Sequence, residues 1–267
     1  MTAGITDSEA ALDVDLYART ILGWDRATLF VERLGPVPDS LEPRFSEWVD
    51  RRERREPTAY IVGIREFWSL DFAVTPAVLI PRPETEFIVE ESLTVMSEES
   101  RIADIGTGSG CLAVSLAHAA PKVHVVATDV SAEALNVARQ NALRHGVASR
   151  VSFVQTSYLD DVRDSFDLIV ANPPYVRDRD KQALSRDVRH EPDVALFGGT
   201  DGLRDIAGVL DAAISRLNPR GWFIMEFGYG QEDDVRALVS ARPGLRLDRV
   251  REDFQGIPRT VVIQREG

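Results

Sequence analysis

From residue 101 to the close of the chain, strand-like runs alternate with longer helix-like segments, and no other feature limits the architecture as much. The strand-like runs fall at 101–105, 123–129, 151–155, 166–171, 222–226, 245–250 and 260–264, and helical segments start at Ser109 and span 132–145, 202–217 and 231–240. Such alternation predicts an α/β fold: a mostly parallel sheet covered by helices on both faces, with ligands in the crevice at the carboxyl ends of the strands. The turn at 254–258 feeds a last strand expected to run antiparallel, at or near an edge.

The chain before this alternation reads differently. Leu12, Leu16 and Ile21 form one helical stripe, and Leu29, Phe30 and Leu34 another after Asp25, which suits an N-cap. A third helix is expected from Leu41-Glu42-Pro43 through Phe45 and Trp48 into Arg51-Arg52-Glu53-Arg54-Arg55, a charge run that reads as a solvated face at a helix end. Alternation across Phe67-Trp68-Ser69-Leu70-Asp71-Phe72 predicts a hairpin, Ile80-Pro81-Arg82-Pro83 is a stiff extended link, and 84–96 reads as helical. Within 267 residues this gives two domains, a small helical one at 1–75 and an α/β one at 76–267.

Composition narrows the function. With 44% hydrophobic and 28% charged residues the chain is globular, and its net charge of −12 disfavours general binding to long nucleic acid, which requires phosphate neutralisation. The single cysteine, Cys111, cannot close an intrachain disulfide and reads as a small packed residue at a helix start. The first residues carry Asp7, Glu9, Asp13 and Asp15 rather than a basic stretch followed by an apolar one, and no apolar run is long enough to span a membrane. A cytoplasmic protein without a membrane partner is expected. His118, His124 and His145 have no metal-like spacing, so no metal is expected.

Ala103-Asp104-Ile105-Gly106-Thr107-Gly108-Ser109-Gly110 lies at a strand-to-helix turn, where glycines permit positive φ and let a ligand touch the backbone. Tight turns need glycine for structural reasons too, but Asp129 closes the next strand, where a carboxylate accepts from both hydroxyls of a ribose. The dinucleotide fingerprint GxGxxG would place its third glycine where this chain has Cys111, which counts against a nicotinamide oxidoreductase. GxGxG preceded by Asp104 favours S-adenosylmethionine, a cationic ligand without phosphate. Asp104 also suits a bracing role through backbone N–H groups of the loop.

After the strand at 166–171 comes Asn172-Pro173-Pro174-Tyr175. Two prolines stiffen the loop and remove two donors, leaving carbonyls, with the Asn172 side chain, to accept from an incoming NH₂. A planar amide or exocyclic amine is a weak nucleophile because its lone pair is delocalised. Holding both N–H bonds in acceptors aims that lone pair at a methyl group, and Tyr175 can stack on the planar group. In-line displacement aided by positioning and electrostatics is the implied chemistry.

With these residues in place, the chain resembles the class I, Rossmann-like methyltransferases and, within them, the HemK/PrmC family of glutamine methyltransferases that modify bacterial peptide chain release factors. The likeness rests on the segments beginning Pro57-Thr58-Ala59-Tyr60 and Ile80-Pro81-Arg82-Pro83-Glu84-Thr85-Glu86, on the glycine loop and Asn172–Tyr175, on Glu191-Pro192 with the segment 195–203, and on Gly256-Ile257-Pro258-Arg259. The resemblance implies transfer from S-adenosylmethionine, leaving S-adenosylhomocysteine, to the side-chain amide nitrogen of the glutamine in a release factor Gly-Gly-Gln motif. It implies that Gly106, Thr107, Gly108, Ser109 and Gly110 line the methionine and ribose side of the cofactor, that Asp129 holds the ribose and that Tyr158 lies near the adenine. Asn172, Pro173, Pro174 and Tyr175 would then hold the substrate glutamine, and the helical domain would grip the protein substrate. Glu84 and Glu86 suit the first turn of a helix, Arg82 can pair with either, and His190 and Glu191 read as structural. Other readings are an exocyclic-amine methyltransferase acting on DNA or RNA, against which the charge argues, and a non-catalytic binding protein, against which the intact glycine loop, Asp129 and Asn172 argue.

Overall fold

A computed structural model describes residues 4–267, which form two compact units: one up to Ile64 that also takes in Ser185–His190, and one comprising Arg65–Leu184 and Glu191–Gly267.

The first unit is helical. α1 (Asp7–Leu22) opens with a capping box in which Thr6 and Glu9 satisfy each other's backbone N–H, and closes at Gly23 with φ 67°. α2 (Arg26–Glu32) starts where the sequence places its cap, with Asp25 Oδ1 accepting from Thr28 N at 2.7 Å. α3 (Arg44–Glu53) begins just after Pro43 rather than at Leu41, which belongs to a preceding 3₁₀ turn, and α4 (Thr58–Val62) is a short helix stopped by Gly63 at φ 80°. Tyr17, Trp48 and Ile61 form the core, with the Tyr17 and Trp48 rings edge to face at 5.4 Å. The basic run is the solvated face its sequence suggests only at Glu53 and Arg54, which are exposed. Arg52 is 8% exposed and donates to Asp13 at 2.7 Å and to Asp187 at 3.0 Å, while Arg51 pairs with Glu56. The partners of Arg52 come from α1 and from 185–190, so the pattern within α3 alone could not reveal them.

The second unit starts with the expected hairpin, β1 (Ile64–Phe67) and β2 (Leu70–Ala73), followed by a 3₁₀ turn at Pro83–Thr85 and α5 (Glu86–Val95). The alternation then runs β3 (Arg101–Ile105), α6 (Cys111–Ala119), β4 (His124–Asp129), α7 (Ala132–Arg144), β5 (Val151–Gln155) and β6 (Phe166–Ala171). After a short α8 (Asp193–Leu196) come α9 (Arg204–Arg216), β7 (Leu217–Glu226), α10 (Glu232–Ser240), β8 (Leu245–Glu252) and β9 (Pro258–Arg265). The seven-stranded sheet has the order β5-β4-β3-β6-β7-β9-β8. Neighbours from β5 through β7 are parallel, and β9 runs antiparallel to both β7 and β8, one place in from the edge.

Alternate residues of each strand feed opposite layers. Ile102, Leu168 and Val170 pack with Ile88 of α5 and with Leu112 and Leu116 of α6, whereas Ala103, Ile169 and Phe223 pack with Ile206, Val209 and Leu210 of α9 and Val235 of α10. The sheet is thus buried on both faces. The chain moves outward one way from β3 through β4 to β5, then returns to β6 on the other side of β3. That reversal opens a crevice beyond the carboxyl ends of β3, β4 and β6. No described helix is long and apolar enough to cross a membrane.

Candidate active site

The loop after β3 owes its shape to three glycines with φ of 72°, 55° and 81° at Gly106, Gly108 and Gly110. Their duties differ. A Cβ on Gly110 would lie 3.0 Å from Ala138 Cβ, so this glycine lets α6 start against α7. Added Cβ atoms on Gly106 and Gly108 would meet nothing nearer than 4.0 Å, leaving the backbone open to the cleft. Asp104, fully buried, accepts from Thr107 Oγ1 at 2.6 Å and from Ala113 N at 3.1 Å, both on Oδ2. Its Oδ1 and the hydroxyl of Ser109 are buried without a partner. Burial pushes the Asp104 carboxyl up to about 7, partly offset by the Thr107 and Ala113 hydrogen bonds.

Asp129, at the end of β4, takes Gly108 N–H on Oδ2 and Ser131 N–H on Oδ1, each at 2.9 Å. Burial raises its pKa, and these backbone donors work against that rise. One donor per oxygen leaves further lone pairs for a diol. Tyr158 follows β5 with φ 46°, donates its hydroxyl to Asp205 Oδ1 at 2.9 Å and lies on Gly208 of α9, where a Cβ would come within 2.3 Å of the ring.

The segment after β6 is braced from two sides. Asn172 Nδ2 donates to Thr85 Oγ1 at 2.9 Å, and the Tyr175 hydroxyl donates to Glu226 at 3.0 Å. The nearby Glu226 charge, then burial, raise the Tyr175 pKa well above its ordinary value. Beneath the loop, a Cβ on Gly198 would sit 2.4 Å from the Pro174 carbonyl oxygen, and one on Gly202 would sit 2.3 Å from that of Tyr175. Gln231 Nε2 also donates to the Tyr175 carbonyl at 3.2 Å. Those two carbonyls are therefore packed against the protein's own backbone, which narrows the loop's free acceptors to Asn172 and Pro173.

One cleft, with about 1170 Å³ of empty space counting its open mouth, brings together Gly106, Thr107, Gly108, Ser109, Asp129, Tyr158, Asn172, Pro173 and Pro174. Gly110 and Tyr175 do not line it. Arg82 does, but it pairs with Glu191 at 2.5 Å rather than with Glu84 or Glu86 as its sequence neighbourhood suggests. Glu191, 4% exposed, also accepts from Ile80 N at 3.1 Å, and Glu86 instead accepts from Trp68 N at 2.8 Å. Sequence reasoning gave no role of their own to Thr85, Glu226, Asp205 and the glycines at 198, 202 and 208. Glu226 had left a signal: an acid inside Phe223-Ile224-Met225-Glu226-Phe227 is buried, and a buried acid needs partners.

A doubly covered sheet with its penultimate strand reversed, a glycine loop after its first strand and Asn-Pro-Pro-Tyr after its fourth define a class I methyltransferase. The model of the methyltransferase small domain matches residues 84–193, and that of the PrmC N-terminal domain matches residues 3–63. A release factor glutamine methyltransferase of Bradyrhizobium diazoefficiens is 41% identical over 95% of this chain and 87% of its own length, and one of Geobacter sulfurreducens is 42% identical over 94% and 88%. The chain belongs to the release factor glutamine methyltransferase family. Among solved structures, a methyltransferase from Pyrococcus furiosus aligns with TM-score 0.58 at 19% identity over 84% of this chain and all of the other. A ribosomal protein L11 methylase from Lactobacillus delbrueckii subsp. bulgaricus aligns with TM-score 0.54 at 24% identity over 70% and 81%. These two bear on the fold alone.

Proposed function

We propose that this chain methylates the side-chain amide nitrogen of the glutamine in the Gly-Gly-Gln motif of peptide chain release factors, in the cytoplasm and with S-adenosylmethionine as donor. The donor supplies an electrophilic methyl group on a positively charged sulfur. The cleft's residues fit it: Gly106 and Gly108 leave open space where side chains would stand, and Ser109 has a buried hydroxyl without a partner. In this reading the loop from Gly106 to Gly110 holds the methionine and ribose side, with Gly110 shaping the loop from behind. Asp129 accepts from the ribose hydroxyls, and Tyr158 flanks the adenine.

The observation that carries the reading is the state of Asn172. Its NH₂ is taken by Thr85, and among the described residues its Oδ1 accepts no hydrogen bond, so the side chain offers an acceptor at the cleft. An amide nitrogen held by Asn172 Oδ1 and the Pro173 carbonyl has both N–H bonds engaged and its lone pair turned toward the methyl carbon. As the C–N bond forms and the carbon–sulfur bond breaks, positive charge grows on nitrogen and the two acceptors stabilise it; the proton then leaves to water. Pro174 stiffens the loop and Tyr175 anchors its end. The helical unit up to Ile64 engages the release factor, and the α/β unit from Arg65 on performs the transfer.

Incubation with methyl-labelled S-adenosylmethionine and, in parallel, purified release factor, its Gln→Ala variant in the Gly-Gly-Gln motif, or nucleic acid tests this. Label on that glutamine alone is the expected result. Label in nucleic acid, or undiminished label on the variant factor, would refute the assignment.

A further inference from the structure

Asn172 is the first member of a chain of side chains whose chemistry fixes its direction. Asn172 Nδ2 is 2.9 Å from Thr85 Oγ1, Thr85 Oγ1 is 2.6 Å from Glu226 Oε2, and the Tyr175 hydroxyl is 3.0 Å from Glu226 Oε1. Thr85 and Glu226 are each 2% exposed, so water does not compete for these bonds. The members come from three places: the 3₁₀ turn ahead of α5, the end of β7 and the loop after β6.

A carboxylate only accepts, and a hydroxyl has one hydrogen to give. Two hydroxyls converge on Glu226, one on each oxygen, so the Thr85 hydrogen is committed to Glu226. The Thr85 oxygen then has only lone pairs to offer, and the end of the Asn172 amide that meets it must be the NH₂. Turned over, the amide would set Oδ1 against the Thr85 lone pairs and present a donor where an incoming NH₂ needs an acceptor. Buried, partnered networks of this kind specify one arrangement strongly.

We propose that Glu226, acting through Thr85, is a positioning device that fixes which end of the Asn172 amide faces the cleft and hence the acceptor available to the substrate nitrogen. The inference rests on the methyl-transfer reading above. Tyr175 is held on the other oxygen of the same carboxylate, so both ends of the Asn172–Tyr175 segment are referred to one buried charge.

The test compares full-length wild-type enzyme with Thr85→Val, Thr85→Ser and Glu226→Gln, using S-adenosylmethionine and purified release factor. Thr85→Val keeps the shape and removes the hydroxyl. It should lower kcat about tenfold or more, the scale on which an outer partner of a ligating group acts. KM for release factor and calorimetric affinity for S-adenosylmethionine should stay near wild type, which also shows that the variant is folded. Thr85→Ser should recover most of kcat. Glu226→Gln should lose part of kcat, to the extent that its NH₂ rather than its Oε1 faces Thr85 and reverses the chain. In an Asn172→Ala background Thr85→Val should cost nothing further. A wild-type rate in Thr85→Val, no recovery in Thr85→Ser, or an undiminished loss in the Asn172→Ala background would overturn the proposal. If Thr85→Val does not fold, a wild-type rate in Thr85→Ala overturns it equally. Absence of glutamine methylation by the wild-type enzyme would instead sink the functional reading and this inference with it.

Discussion

Asp104 is where one residue most clearly carries opposing demands. It braces the glycine loop through Thr107 and Ala113, yet it does so from a fully buried position with one oxygen unpartnered. Burial lifts its pKa from 3.8 to about 7. In the unfolded chain the proton leaves near the ordinary value, so between about pH 4 and about pH 7 the folded state holds a proton that the unfolded state has released. Its contribution to stability is therefore greatest below that window, falls as pH rises through it and levels off above. Urea midpoints for the ligand-free protein at about pH 5 and about pH 8 should fall more in wild type than in Asp104→Asn, and equal falls would refute the assignment. Asp129 differs in that each of its oxygens has a backbone donor, Gly108 N–H on one and Ser131 N–H on the other. Asp104 was legible as an acid at the loop, but its orphaned oxygen was not, since burial is a property of the packed layers on both sides of β3.

At the scale of elements, α7 does more than cover the sheet. Its Ala138 meets Gly110, and its fully buried Asn141 accepts from Ala73 N at 2.8 Å while donating to the carbonyls of Ala73 at 3.0 Å and Ser109 at 2.8 Å. One side chain thus ties the edge of the hairpin to the glycine loop. Asn141→Ala would strand a buried N–H and two carbonyls, costing about 1–3 kcal/mol in unfolding free energy and weakening S-adenosylmethionine affinity together. Loss of stability with unchanged affinity in calorimetry would show that the loop does not depend on this tie. The strands at 151–155 and 166–171 fall where periodicity puts them. β7 starts earlier than expected, at Leu217, because Asn218-Pro219-Arg220-Gly221 reads as a breaker yet is absorbed as an irregularity in pairing, with Arg220 at φ 65°. α4 was not read at all: five residues between Pro57 and Gly63 are too few for a period to register.

On the scale of the whole molecule, the helical unit is closed by an ion network rather than by a large apolar core. Arg52 is held between Asp13 of α1 and Asp187, whose segment lies far along the chain. Arg52→Met should leave Asp13 without its cation, Asp187 keeping Arg55 at 2.7 Å, and cost about 1–3 kcal/mol, read as a lowered denaturation midpoint. A midpoint within experimental error of wild type would mean that the pair is solvated in practice. The amino-acid order by itself determined the α/β alternation, the reversed strand near the edge, the glycine loop, Asp129 and the Asn-Pro-Pro-Tyr segment, because each is set by local backbone requirements or by short-range periodicity. Only tertiary structure decided that Arg82 turns to Glu191, that Arg52 of α3 faces inward, that glycines from 198 to 208 carry the weight of Tyr158 and the Asn172–Tyr175 loop, and that Thr85 and Glu226 stand behind Asn172. These partners are separated by tens of residues or more, and what selects them is burial: a polar group removed from water must find its complement wherever the packed chain brings one.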